Sequence, residues 1–508
     1  MIAAELVHRG ARRFGERTAV RFEGRELSFR EVEASASRFA HVLQGVGASK
    51  GDRVALLVGN ELWSIPLDFA CLTAGLVRVP LNPRLAAEEQ VRMLEETEPR
   101  LLVHSPELVE RAEELLARTP GLVALGLGCR GAGGGLDLLA AAEQAASTRP
   151  AVHLEPSDPM LLLFTSGTTG RLKAVEHTQG SYAAICANIL ANLLSPGPDS
   201  VMLHAASLIH ASGTFVLPYW IRGGAAAVLR HFEPEAYLAA IERERASEVN
   251  LVPTMLAMLL QALPDHPADL SSLRLVVYGA SPMPRPVLRE AMDRLGPKFR
   301  QYYGQTEAPL CISVLDERDH QDPSLLGSCG QPAVDAQVRL ADDQGQPVAP
   351  GEIGEVQVKA PFQMAGYHRA PELNAEMHTP DGWLRTRDLA REDEQGYLTL
   401  VDRASDMIVT GGYNVYPREV EDVLLAHPAV AECAVVGAPD PTWVEAVVAF
   451  VVPAPGRSAD EDELRSWVRA QLAGYKVPKR IEFVDGIPKS AVGKVLRRAL
   501  RDPLWADR

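Results

Sequence analysis

Leu161-Leu-Leu-Phe-Thr-Ser-Gly-Thr-Thr-Gly-Arg-Leu-Lys173 is an apolar run that empties into a polar loop. Leu161 to Phe164 reads as a buried strand, because a short apolar run bounded by turn residues is what a fully covered strand looks like. The loop that follows carries two glycines and four hydroxyl side chains and closes on a lysine. Glycines let backbone N–H groups turn toward a polyphosphate, hydroxyls add donors, and Lys173 adds charge. A Walker A loop ends Gly-Lys-Ser/Thr, whereas this one ends Leu172-Lys173-Ala174. Taken alone, the stretch is equally readable as a plain surface loop.

Working outward, strand-like and helix-like segments alternate over the first 400 or so residues. Arg30 to Leu43 reads as a helix with Val32, Ala36, Phe39 and Leu43 on one stripe. Val54–Val58 reads as a strand, Ile65–Ala74 as a helix, and Val77–Val79, Leu101–Val103 and Leu273–Tyr278 as further strands. Alternation at this spacing predicts an α/β fold with mostly parallel sheets flanked by helices. Residues 124–136 are rich in glycine and are expected to form a surface loop. Beyond residue 402 the texture changes: strands at Val430–Val436, Val447–Val452 and Ile481–Val484 enclose a helix at Asp462–Leu472. The expected layout is a large domain over residues 1–402 and a small α+β domain over residues 403–508.

The 508 residues include 66 acidic and 51 Lys or Arg side chains, for a net charge of −15, which gives nucleic-acid binding no electrostatic support. Six scattered cysteines show no CxxC pair and no metal-like spacing, so free thiols in a reducing cytoplasm are expected. No signal-like segment opens the sequence and no apolar run approaches a membrane span.

Three more segments add chemistry. Tyr302-Tyr-Gly-Gln-Thr-Glu307 brings aromatic rings, a hydroxyl and a carboxylate together, the parts that stack a purine, touch a phosphate and hold Mg²⁺. Trp383-Leu-Arg-Thr-Arg-Asp388 and Asp402-Arg403 offer a carboxylate and a guanidinium to ribose hydroxyls. Pro488-Lys-Ser-Ala-Val-Gly-Lys494 places a lysine behind a glycine near the C-terminus. In this order, with Val79-Pro-Leu-Asn-Pro-Arg84, Leu208-Ile-His210, Gly279-Ala-Ser-Pro282 and Gly411-Gly-Tyr-Asn-Val-Tyr-Pro417, they resemble the adenylate-forming (AMP-binding) superfamily, in its acyl- and aryl-CoA synthetase branch. The resemblance spans essentially the whole chain.

It implies an ATP-dependent ligase that forms an acyl-AMP and pyrophosphate from a carboxylate, then an acyl-CoA and AMP. Thr165, Ser166, Gly167, Thr168, Thr169, Gly170 and Lys173 would hold the β- and γ-phosphates. Gly279, Ala280, Ser281, Tyr302, Tyr303 and Gly304 would border the nucleotide, with Thr306 on the α-phosphate and Glu307 on Mg²⁺. Asp388 and Arg403 would bind ribose, and Lys494 would bridge carboxylate and α-phosphate. The small domain would then turn about Ser405 and bring Gly411 and Gly412 to a pantetheine tunnel. Tyr475 and Lys479 would hold coenzyme A; Trp443 would pack on it, or else belong to the core.

The acyl pocket would lie between His210 and the segment Tyr278–Gly304, with Gly279 and Gly304 on its wall and Asn188 meeting a polar substituent. His210 would close over the carboxylate, or else be a structural histidine. A benzoate-like acid is the expected substrate. A medium-chain fatty acid is the alternative, as is a stand-alone adenylating enzyme that loads a carrier protein; a non-catalytic ligand sensor is the non-enzyme reading. A cytoplasmic monomer or homodimer is expected. The chain departs from the family pattern at Leu172, Ala174, Val477, Ser405 and Arg387. Arg387 stands where glycine is typical, so that backbone position cannot strictly require positive φ.

Overall fold

The computed structural model describes residues 1–166, 172–209, 211–281, 283–403, 406–410, 413–440, 442–489 and 495–506, without the side chains of Ser166 and Ala211. Four sheets carry the fold among these residues. In the first, of nine strands, the strands from Phe299–Tyr303 through Leu275–Gly279, Glu248–Leu251, Val201–His204 and Ala225–Val228 to Thr18–Phe22 run parallel. The second, of seven strands, is parallel from Val123–Gly126 to Pro159–Ser166 and closes with the antiparallel strands Leu172–Thr178 and Gly366–Tyr367.

Helices cover both sheets for reasons visible in the residues. Phe29–Gly45 starts at Ser28, whose hydroxyl accepts from Glu31 N while Glu31 returns a bond to Ser28 N. Such a reciprocal cap satisfies donors that an α-helix start leaves unpaired. The expected stripe Val32, Ala36, Phe39 and Leu43 is buried in the main core.

The third sheet departs from the mostly parallel expectation. Gln337–Ala341, Ile353–Lys359, Leu384–Glu392 and Leu398–Arg403 form a four-stranded antiparallel sheet inside the segment read as α/β. After it comes a five-stranded sheet built from Tyr413–Val415, Ile408–Thr410, Val444–Pro453, Val430–Asp440 and Arg480–Phe483, with its own core of Val420, Leu424, Val435, Val447 and Leu464. The architecture is thus a large N-terminal α/β part followed by a small C-terminal α+β one.

One local expectation is corrected. Residues 124–136 are not a surface loop: Val123–Gly126 is an edge strand, and Ala124, Leu125 and Leu127 are buried. Added Cβ atoms at Gly131 and Gly135 would strike Ala124 O, so these glycines serve close packing and not exposure. Arg387 adopts positive φ, at 61°, without being glycine, beside a register shift in the third sheet. Its N–H reaches Glu355 at 3.1 Å and its guanidinium reaches Glu376 at 2.6 Å, contacts that offset the strain of a left-handed arginine.

Candidate active site

The strands on either side of the polar loop pair with each other. Pro159–Ser166 and Leu172–Thr178 pair antiparallel, and the register sets Thr165 opposite Lys173. Gly167, Thr168, Thr169 and Gly170 lie outside the described residues. Lys173 Nζ sits 5.5 Å from the centre of the Tyr367 ring, and Tyr367 Oη donates to Glu307 Oε1 at 2.7 Å. Burial and the Glu307 carboxylate together push the Tyr367 phenol up, so it stays a donor. Tyr367, which the sequence reading missed, thus ties the loop lysine to the carboxylate. Its only sequence signal is an aromatic after Gly366, and the pairing of Tyr367 with Val175 is what brings it here.

Thr306 is held by another unanticipated residue. His177 Nε2 lies 2.8 Å from Thr306 O, and Nδ1 lies 3.3 Å from Ser181 Oγ. Burial lowers His177 to about 4, leaving a neutral ring. A carbonyl only accepts, so the proton sits on Nε2.

A second cluster surrounds Asp388. Tyr303 Oη donates to its Oδ2 at 2.8 Å, Gln305 Nε2 donates to the same oxygen, and Arg403 Nε lies 3.3 Å from Oδ1. Asp388 and Arg403 are directly opposed across adjacent strands, which explains how residues 15 apart in sequence meet. Burial, then Asp388, pushes the Tyr303 phenol well above its ordinary range. Gly279 and Gly304 must be glycine by close approach: Cβ atoms there would lie 2.7 Å from the Tyr302 ring and 2.6 Å from Leu310 N. Ala280 has φ 68° and is exposed, and Ser281 is half-buried just beyond Leu275–Gly279.

Three side chains go elsewhere than expected. Tyr302 faces away from Asp388, because neighbours on a strand point to opposite faces; its phenol accepts from Asn250 Nδ2 at 3.2 Å. Tyr278 is buried against helix residues such as Leu288 and bonds His320 Nε2 at 2.8 Å, so its phenol does not border a pocket. Asn188 spends its amide on Cys311 O at 3.2 Å and Asp335 Oδ1 at 2.8 Å.

In the C-terminal part Trp443 is 44% exposed, which removes the core reading. Lys479 Nζ lies 5.0 Å from its ring centre, and Tyr475 stacks on Tyr413 at 4.6 Å. Thr410 pairs with both Tyr413 and Val444, which brings Tyr413 and the neighbour of Trp443 to the same residue. His210, Ser405, Gly411, Gly412 and Lys494 lie outside the described residues, as does the Ser166 side chain.

Carboxylate oxygens and hydroxyls suit a hard cation such as Mg²⁺, which takes few protein ligands and completes its shell with phosphates and water. Glu307 fits that donor set, since each carboxylate oxygen has lone pairs beyond the one Tyr367 uses.

With this fold and these clusters in place, the comparisons agree. The chain matches the AMP-binding enzyme family over residues 7–368 and the AMP-binding enzyme C-terminal domain over residues 419–494. It belongs to the AMP-binding enzyme family. It is 41% identical over 499 residues to a feruloyl-CoA synthase of an Amycolatopsis species, covering 97% of each chain. A medium/long-chain-fatty-acid–CoA ligase of Mycobacterium tuberculosis is 38% identical over 484 residues, 92% of this chain and 84% of that one. Among solved structures, an amide bond synthetase from Marinactinospora thermotolerans superposes with a TM-score of 0.90 at 36% identity, over 98% of this chain and 99% of that one. No helix among the described residues is long and apolar enough to cross a membrane.

Proposed function

We infer that this chain joins an aromatic carboxylic acid to coenzyme A in an ATP-dependent, AMP-forming reaction. The observation that carries the reading is the pair of clusters at the strand ends. Asp388, Arg403, Tyr303 and Gln305 form one, and Glu307, Tyr367, Lys173 and Thr306 the other. The aromatic substrate is supported by the feruloyl-CoA synthase as a relative.

In this account the buried Asp388 carboxylate accepts the ribose hydroxyls, held in place by Tyr303 and Arg403. Lys173 and the hairpin loop neutralise the leaving pyrophosphate. Mg²⁺, when bound at Glu307, supplies charge neutralisation at the phosphates. Lys494 brings the attacking carboxylate to the α-phosphorus, and the acyl-AMP forms with loss of pyrophosphate. Residues 403–508 then turn about Ser405 relative to residues 1–402, and the thiol of coenzyme A attacks the acyl carbonyl, releasing AMP. The exposed Trp443–Lys479 pair offers an aromatic face and a cation, which suit the phosphoadenosine end of coenzyme A. Both ATP and coenzyme A are abundant in cytoplasm, which supports a cytoplasmic location; the expected assembly is a monomer or homodimer.

A panel of benzoates, cinnamates and alkanoates in ATP–pyrophosphate exchange, run with and without coenzyme A, tests the reading. Exchange with aromatic acids and thioester formation with coenzyme A support it. Exchange with alkanoates alone, or no thioester, overturns it.

A further inference from the structure

Side chains two apart on a strand point the same way, so Lys173, Val175 and His177 share one face of the strand Leu172–Thr178. Residues directly opposed in an antiparallel pair share a face as well. That adds Thr165, opposite Lys173, and Tyr367, opposite Val175. Lys173 and His177 are four residues apart, about 14 Å along a strand.

This face grips the segment Thr306–Glu307, which follows the strand Phe299–Tyr303 of the other large sheet. His177 Nε2 donates to Thr306 O at 2.8 Å, and Tyr367 Oη donates to Glu307 Oε1 at 2.7 Å. Beside Tyr367 a third hold is backbone to backbone, from Met364 N to Glu307 O at 2.7 Å. Two sheets are thereby joined at the residues that carry the phosphate chemistry.

The His177 ring is itself fixed. It is 1% exposed, and its Nδ1 lies 3.3 Å from Ser181 Oγ, in the reciprocal cap that starts the helix Gln179–Asn192. Arg78, Leu161 and His177 stand in one row across three adjacent strands. Arg78 is buried and paired with Asp68, and a cation on the same face disfavours a second proton on the imidazole.

We propose that His177 is a positioning residue for the adenylation step: it keys the strand that bears Lys173 to Thr306, and so sets the spacing between the group on the β- and γ-phosphates and the residue on the α-phosphate. The proposal rests on the AMP-forming reading above and deepens it. In that step a carboxylate oxygen bonds to the α-phosphorus while the bond to the bridging α,β oxygen breaks, and its electron pair leaves with pyrophosphate. Attacking and leaving oxygens must lie roughly in line, so the spacing of the two phosphate holds matters. A misplacement of about 1 Å costs on the order of 100-fold. Thioester formation has no pyrophosphate to place; it needs Thr306 and not its distance from Lys173.

The test times the two half-reactions separately in His177→Gln and His177→Asn, with the best aromatic acid of the panel above and its acyl-adenylate. Glutamine sets an N–H donor where Nε2 was, whereas asparagine sets one where Nδ1 was and falls short of Thr306. His177→Asn should lower kcat for ATP–pyrophosphate exchange by about 100-fold while KM for ATP hardly moves. Thioester formation from supplied acyl-AMP should fall far less, and His177→Gln should recover most of the exchange. Equal loss of both half-reactions, or equal behaviour of the two variants, overturns the proposal, because a merely structural histidine would give either. Exchange at the wild-type rate in His177→Asn overturns it too. Wild type that exchanges with no acid overturns the AMP-forming reading and the proposal with it.

Discussion

Asp402 Oδ2 accepts the backbone N–H of Arg418 at 3.0 Å, and so joins the last strand of the four-stranded sheet to the first turn of the helix Pro417–Leu425. Its other oxygen accepts from Arg403 N at 2.7 Å, and Arg418 Nη1 returns a bond to Leu400 O at 3.1 Å. A carboxylate at a helix N-terminus meets unpaired N–H groups and the positive end of the helix dipole. This latch spans the segment about which the two parts of the chain are proposed to turn.

Burial raises Asp402 to about 6, against the opposing pull of Arg497 and the two backbone donors. An unfolded aspartate titrates near 3.9, so folding favours the protonated form. That contribution is fully present below about pH 4 and is lost as pH rises through 6; its size is on the order of 3 kcal/mol. Asp402→Asn removes the titration. Urea unfolding of both proteins should therefore show wild type gaining on the variant as pH falls from 7 to 4. A stability difference that stays flat over that range contradicts the assignment.

Trp443→Ala should raise the KM for coenzyme A while leaving pyrophosphate exchange near wild type. An aromatic stacking partner is worth about 1–3 kcal/mol, which corresponds to roughly 5- to 150-fold in KM. The side chain is largely outside the core, so the melting temperature should hardly move. Lys479→Ala should act in the same direction and less strongly, since an exposed cation–π pair is worth about 0.5–1 kcal/mol. Unchanged coenzyme A kinetics in both variants would remove this surface from the account.

Arg387 holds φ at 61° one residue before Asp388. A left-handed L-residue costs roughly 1–2 kcal/mol, which glycine avoids, while glycine gives up backbone entropy and the Glu376 ion pair. These terms nearly cancel, so Arg387→Gly should stay within about 1 kcal/mol of wild type. Arg387→Val should be destabilised by more than about 1 kcal/mol, because a β-branched residue tolerates this conformation worst. Thermal unfolding of the two variants decides; equal stability of Gly and Val would mean that the turn is not left-handed in solution.

Much of the site was legible because its parts are local. Leu161–Phe164 is apolar on both faces, and the strand and its polar loop follow from that run alone. That Asp388 and Arg403 offer groups suited to ribose hydroxyls was readable from the residues, but their meeting across adjacent strands was not, since nothing local says that those strands are neighbours. His177 and Tyr367 escaped notice because each acts through a partner far along the chain, Thr306 and Glu307. Asn188 looked like a pocket residue, and its amide is instead engaged by Asp335, 147 positions away. The antiparallel sheet was missed for a different reason. Buried polar side chains such as Gln357 and Thr386 interrupt the apolar pattern that marked the parallel strands.

Lys494→Ala should nearly abolish adenylation and largely spare thioester formation from supplied acyl-AMP. The reason is that one lysine cannot serve both orientations of the small domain. Rapid-quench assays of each half-reaction check this; equal loss of both contradicts the two-orientation scheme.

The most direct test of the central claim is a product count. Purified protein is incubated with 4-hydroxycinnamate, ATP, Mg²⁺ and coenzyme A, and nucleotides and thioester are resolved by chromatography. One AMP and one acyl-CoA per ATP consumed, with pyrophosphate and no ADP, is the predicted result. ADP with phosphate, or AMP released without any thioester when coenzyme A is saturating, would contradict it.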